Sequence, residues 1–199
     1  MLEAPYKMPC EMAGDSLDFL SLGASLERQE LESPGGVATP TVYCQLLAVY
    51  LLQKDLNNAK YLWKRIPLAI KNANAELVAI WAVGKKMWQR DFPAIYTSLS
   101  AYQWSAEVKQ IMAAVAESVR SRACDLVARA YSSISAEDLA AFLGLSVDDS
   151  VKAVVDRGWQ ADPQTRMITP KKPAPVAVPP RESSQHLQQF TDLVAFLEN

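Results

Sequence analysis

Asp55 and Asp91 lie 36 residues apart in the same local setting, and that setting restricts this chain more than any other feature. Each follows one run of helical apolar periodicity and precedes another, so each reads as an N-cap whose carboxylate accepts a backbone N–H of the next turn. At this offset Leu47 falls on Val83, Leu51 on Met87, Leu52 on Trp88, Leu56 on Phe92 and Ala59 on Ile95. Helix, capped turn and second helix, repeated at such a period, is the form of an α-solenoid of the tetratricopeptide type. Two repeats cannot cover their own ends, so another element must pack over them.

The helices themselves are legible. The run TVYCQLLAVYLLQKD is apolar nearly all round, as a central enclosed helix must be, and LNNAKYLWKRI follows until Pro67 disfavours helical geometry at Ile66. ELVAIWAVGKKMWQR runs from about Asn74, and the helix after Asp91 holds Pro93 in its first turn, where a missing N–H is harmless. Ahead of these, residues 15–31 place Leu17, Phe19, Leu20 and Leu26 on a possible helical face interrupted by Gly23, before a loop with Pro34, Gly35, Gly36 and Pro40. From Ser105, a potential N-cap, a helix of over 20 residues carries Val108, Ile111, Met112, Val115, Val119, Ala123, Leu126 and Val127 along one side. It is long enough to bridge two lobes. Trp63, Trp81, Trp88, Trp104 and Trp159 read as core.

The most specific stretch follows. Ser135 with Asp138, and Ser146 with Asp149, resemble capping boxes. The first short helix turns Leu139, Phe142 and Leu143 inward and stops at Gly144; the second turns Val147, Val151, Val154 and Val155 inward and stops at Gly158. A strand from Trp159, a turn over residues 161–164 and a returning strand over 166–169 complete a helix–turn–helix with a β-hairpin, a winged helix. Winged helices often enter DNA grooves, but the second helix presents Asp148 and Asp149 at the end that would face phosphate. That excludes nucleic acid as the expected partner.

Charge is divided along the chain. Residues 1–39 carry seven acidic and two basic side chains, residues 40–104 eight basic and three acidic, while the whole balances at −2. A solvated face is the first reading of such runs; contact between the two segments, or of each with a partner, is the other. Cys10, Cys44 and Cys124 are scattered and form no CxxC pair, so neither a disulfide framework nor a cysteine-rich zinc site is expected. The single histidine, His186, cannot assemble a zinc hydrolase, and no glycine-rich phosphate loop is present. The expectation is a protein with no catalytic residue, metal or cofactor. Glu3, Lys7 and Glu11 interrupt any signal-peptide core, and no apolar run approaches bilayer length, so no membrane partner is expected and the cytosol or nucleus is the expected location.

Residues 171–183 form a proline-rich spacer, after which QHLQQFTDLVAFLEN regains helical periodicity. Leu187, Phe190, Leu193, Val194 and Leu197 make one apolar stripe on residues 184–199. Such a stripe seeks cover, either on its own domain or, as a tethered helix is better suited to do, in a bundle with partner chains.

Helical repeats running into a winged helix, with ISAEDLAAFLGL at Ile134–Leu145, resemble the PCI domain of the proteasome lid, the signalosome and translation initiation factors. NNAKYLWKRIP at 57–67, IWAVGKKMWQRDFPAIY at 80–96, GWQAD at 158–162 and the terminal FTDLVAFLEN are most similar to the smallest-subunit family of the signalosome. The resemblance implies a mainly α PCI protein: a segment 1–14 of its own, a repeat lobe 15–104, a long helix and winged helix 105–170, then the linker and C-terminal helix. It further implies a non-catalytic scaffold in a complex that removes the ubiquitin-like protein NEDD from cullins. Its partners would be other PCI subunits, met through the winged-helix edge at Met167, Ile168 and Thr169 and through the C-terminal stripe. A PCI subunit of the proteasome lid or of an initiation factor is the alternative, and a winged-helix DNA-binding protein the alternative of a different class.

Overall fold

The computed structural model describes residues 10–173 and 183–198, with side chains from Phe19 to Pro173 and from Leu187 to Glu198. The side chains of Leu17 and His186 and most of the proline-rich spacer lie outside the described residues. The chain is mainly α-helical, of the PCI type. Its helices are α1 (Cys10–Glu32), α2 (Pro40–Leu52), α3 (Leu56–Arg65), α4 (Leu68–Ala73), α5 (Ala75–Gln89), α6 (Phe92–Ser100), α7 (Ala106–Ala130), α8 (Ala136–Leu143), α9 (Val147–Val155) and α10 (Ser183–Glu198).

The repeat appears as read. Asp55 accepts from the Asn58 N–H at 3.0 Å, and Asp91 from the Ala94 N–H at 3.3 Å. The residue before each aspartate, Lys54 and Arg90, is left-handed (φ 63° and 58°), a conformation that closes a helix and that glycine adopts without steric cost. The short α4 between the repeats was not anticipated; six residues are too few to show a period, and Pro67 reads only as an end to the preceding helix. Asn74 caps α5 by accepting from the Glu76 and Leu77 N–H groups.

Apolar on every side, α2 is enclosed: Leu46, Leu47, Ala48, Val49 and Leu51 have no exposed surface. It packs against α1, α3, α5 and α7. Gly23 permits the close approach of α1, because a Cβ there would stand 3.1 Å from Val49 Cγ1. The two oppositely charged segments do meet, and among the described residues their charges join in one ion pair. Arg65 donates to both oxygens of the buried Glu30 at 2.7 and 2.6 Å, and the Tyr50 hydroxyl donates to Glu27 at 2.7 Å. This forked pairing ties α1 to the end of α3. Cys44 is buried in the same core, and desolvation, with Glu76 and Glu107 adding to it, pushes its thiol from 9.0 up to about 12.

Helix α7 serves two cores. Val108, Ile111, Met112, Val115 and Val119 join the repeat core; Ala123, Cys124, Val127 and Ala128 join that of the winged helix. Leu126, expected on the buried side, is 43% exposed, because Cys124 and Ala128 take the inward positions around it. Ser105 makes no side-chain cap; its N–H instead donates to Glu76 at 2.8 Å, fastening the start of α7 to α5. Trp88 also departs from expectation, since it stands 52% exposed, whereas Trp63 and Trp81 stack with ring centroids 5.4 Å apart.

In the winged helix the serine caps form as read, Ser135 accepting from the Asp138 N–H and Ser146 from the Asp149 N–H. Each serine hydroxyl in turn donates to the same aspartate's carboxylate at 2.7 Å. Val147 and Val155 are exposed rather than inward; Val154 and Ser150 occupy the buried side of α9. The Ser150 hydroxyl is enclosed without a hydrogen-bond partner. A three-stranded sheet completes the unit, β1 (Ile134–Ser135), β2 (Gln160–Asp162) and β3 (Met167–Thr169), in the order β1-β3-β2.

The winged helix seats on the repeats through α6 and α8. Gly144, left-handed at φ 62°, lies so close to Tyr96 that a Cβ there would overlap the ring. Arg120 lies over the Tyr96 ring at 5.5 Å and donates to the Leu143 carbonyl at 3.2 Å. Phe92 meets Phe142 edge-on, with centroids 6.0 Å apart.

Three measurements check this packing. Gly144→Ala should cost about 2–4 kcal/mol in denaturant unfolding, combining left-handed strain with overpacking; a loss under about 1 kcal/mol contradicts the contact with Tyr96. Ser150→Ala should raise stability by about 1 kcal/mol, because it removes an unsatisfied hydroxyl and adds helix propensity. Because the thiol of Cys44 is harder to ionise in the folded state, its contribution is complete below pH 9.0 and is lost as pH climbs toward 12. The urea midpoint should therefore fall across that alkaline window, and less steeply in Cys44→Ala than in the parent.

Candidate protein-interaction surfaces

Among the described residues no cluster of three or more His, Cys, Asp or Glu side chains could hold a metal ion. Cys44 and Cys124 are buried on helices, and burial raises both thiols, which keeps them in the unreactive protonated form. No described helix is long and apolar enough to cross a membrane.

The wing requires a correction. Met167, Ile168 and Thr169 were expected to meet a neighbouring winged helix by edge or face, but they do not form an edge, because β3 is the central strand. It pairs with β1 through Ile134↔Ile168 and Ser135↔Met167, and with β2 through Gln160↔Thr169 and Asp162↔Met167. Ile168 is 1% exposed, Met167 half-buried and Thr169 exposed. The cause is the two-residue strand before Ser135, which a sequence reading takes as loop because it is shorter than one period of alternation. The sheet's longer open edge belongs to β2, whose Gln160, Ala161 and Asp162 are all exposed. Beyond it the chain reverses in a turn held by Asp162, which accepts from the Gln164 N–H at 2.9 Å and from the Thr165 hydroxyl at 2.8 Å. These bonds hold the Asp162 carboxyl below its ordinary range. The edge is thus short and rigid, and it ends on a negative charge.

The C-terminal helix is the other surface. On α10, Leu187 is 67% exposed, Phe190 68% and Leu193 59%, with Val194 and Leu197 exposed alongside. At 100° per residue these five span about a third of the helix circumference. Phe196, left out of the stripe read from the sequence, is exposed beside Leu193 and widens the apolar face. Its spacing of three from Leu193 carried that signal. Thr191 closes its hydroxyl onto the Leu187 carbonyl at 2.8 Å, and Asp192 and Glu198 supply the helix's negative charge. A 16-residue helix with this much open apolar surface is built to be covered.

Comparison with known proteins agrees with this architecture. The sequence profile of the CSN8/PSMD8/EIF3K family matches residues 37–177, from the end of the loop before α2 to beyond the winged helix. Similar curated proteins include COP9 signalosome complex subunit 8 of Danio rerio, 62% identical over 87% of this chain and 91% of that protein. The Xenopus laevis protein of the same name is 59% identical over 94% of this chain and 96% of its own, and the Arabidopsis thaliana one 39% identical over 79% of each. With the profile spanning both repeats, α7 and the winged helix, the chain belongs to the CSN8/PSMD8/EIF3K family.

Proposed function

We propose that this chain is a non-catalytic scaffold subunit of a signalosome, the complex that removes NEDD from cullins, working in cytosol and nucleus through contacts with other PCI subunits. The single observation that carries the reading is the open apolar face of α10. Covering each of its large side chains is worth roughly 1.5–3 kcal/mol, so Leu187, Phe190, Leu193, Val194 and Leu197 together favour a helical bundle with partner chains. The printed names of the relatives favour a signalosome over a proteasome lid or an initiation factor as the host complex.

The winged helix supplies the second contact in this reading. Its partner meets the β2 edge at Gln160–Asp162, with Thr169 and Met167 adding the neighbouring face. Main-chain pairing along such an edge gives affinity with little side-chain information, while the carboxylate of Asp162 at its end selects a cationic neighbour.

Two variants test the tail. Phe190→Asp with Leu193→Asp, and a chain ending at Ser183, should each lower co-purification of endogenous PCI subunits by about tenfold or more, since two buried apolar anchors are lost. Thermal melting of the isolated variants should match the parent, because neither side chain is in a core. Undiminished recovery of partners would sink the bundle role. Mass spectrometry of the recovered subunits distinguishes the signalosome from the proteasome lid.

A further inference from the structure

A groove of about 680 Å³ runs between the two repeat turns and the middle of α7. Lys54, Arg90 and Arg122 stand around it, and Trp88, Phe92 and Leu126 give it an apolar wall. Trp88 and Leu126, both expected in the core, are 52% and 43% exposed. Lys60 lies over the Trp88 ring at 5.0 Å, which adds a fourth cation beside the indole. Among the described residues, Lys54, Arg90 and Arg122 take part in no ion pair. The carboxylate at the rim, Asp55, already has both oxygens engaged, one by the Asn58 N–H and one by its side-chain amide. Asp91 is likewise occupied, by the Ala94 N–H and by Lys86.

Lys54 and Arg90 occupy equivalent places in the two repeats, and both are left-handed. Glycine is the residue that fits such a cap, so a long cation there is a strained choice made twice. Favourable interaction with the helix C-terminus accounts for Lys54, since α2 has no basic residue in its last turn, but is not needed for Arg90, because Lys86 supplies it in α5. Both positions also line the groove.

We propose that this groove binds an acidic segment of a partner protein in which one large apolar residue lies between carboxylates. The apolar side chain seats against Trp88 and Leu126, and the flanking carboxylates meet Lys54, Arg90 and Arg122. Charge complementarity decides the occupant: among the described lining residues three cations that take part in no ion pair face the single carboxylate of Asp55, a net positive rim. Nucleic acid fits less well, because a continuous phosphate backbone needs a longer row of cations than this and finds an apolar wall instead.

The test uses the full chain and a fluorescein-labelled acidic peptide of about 12 residues with a central Phe between Asp–Glu pairs, followed by fluorescence polarisation. Saturable binding is expected, weakening as NaCl rises from about 50 to 300 mM. Lys54→Gly and Arg90→Gly should each weaken it about three- to fivefold and together about tenfold or more. Their melting temperatures should hold or rise, since glycine relieves the left-handed caps, so lost binding cannot be lost folding. Trp88→Ala should weaken binding about tenfold. The same peptide with Asn and Gln for its acids, and a thymidine oligonucleotide of equal charge, should fail to compete. The proposal is overturned if no saturable binding occurs, if the glycine variants bind as the parent does, or if the oligonucleotide competes equally. It is also overturned if a chain ending at Ser183 binds about tenfold tighter, which would make the chain's own acidic C-terminal helix the occupant.

Discussion

Helix α7 is the constraint on which the rest of the molecule depends. Its first half closes the open end of the two repeats with Val108, Ile111, Met112 and Val115, and its second half founds the winged-helix core with Ala123, Cys124 and Val127. A continuous hydrogen-bonded helix cannot turn one half relative to the other without breaking backbone bonds, so the two cores hold a fixed relation. The close seat of Gly144 on Tyr96, with Arg120 covering both, locks the second attachment point, at α6 and α8. One covalent spine and one packed joint make the repeats and the winged helix a single rigid piece.

What could be read beforehand follows from how local each signal is. Asp55, Asp91, Ser135 and Ser146 are caps, and a cap is decided by residues three positions apart, so all four were legible. So was the enclosure of α2, whose sequence offers no polar face. The errors arose where a distant element decides. Ile134–Ser135 becomes a strand only because β3 returns beside it, and this moved Met167–Thr169 from the edge to the centre of the sheet. Val147, Val155, Trp88 and Leu126 are apolar in sequence yet stand in the open. Periodicity reports which residues share a face, not whether a neighbour arrives to cover it.

Those uncovered residues carry the contacts of the proposed scaffold role. Cys44 and Cys124 are buried, and among the described residues no cluster of His, Cys, Asp or Glu could hold a metal ion. Three surfaces enter the proposals made for the described residues: a short sheet edge ending at Asp162, a cation-rimmed groove against Trp88, and the apolar face of α10. They differ in physical character, main-chain pairing at the first, charge at the second and apolar burial at the third. One small subunit can on that account meet several neighbours without their competing for the same site.

The open face of α10 also bears on the life of a chain that has not yet met its neighbours. Leu187, Phe190, Phe196 and Leu197 displayed together are what chaperones and degradation machinery recognise in proteins left without their complex. On the scaffold reading, assembly hides that mark, and a molecule synthesised in excess keeps it. The helix would then act as an inventory device, matching the steady-state amount of this subunit to the supply of the others without any separate regulator.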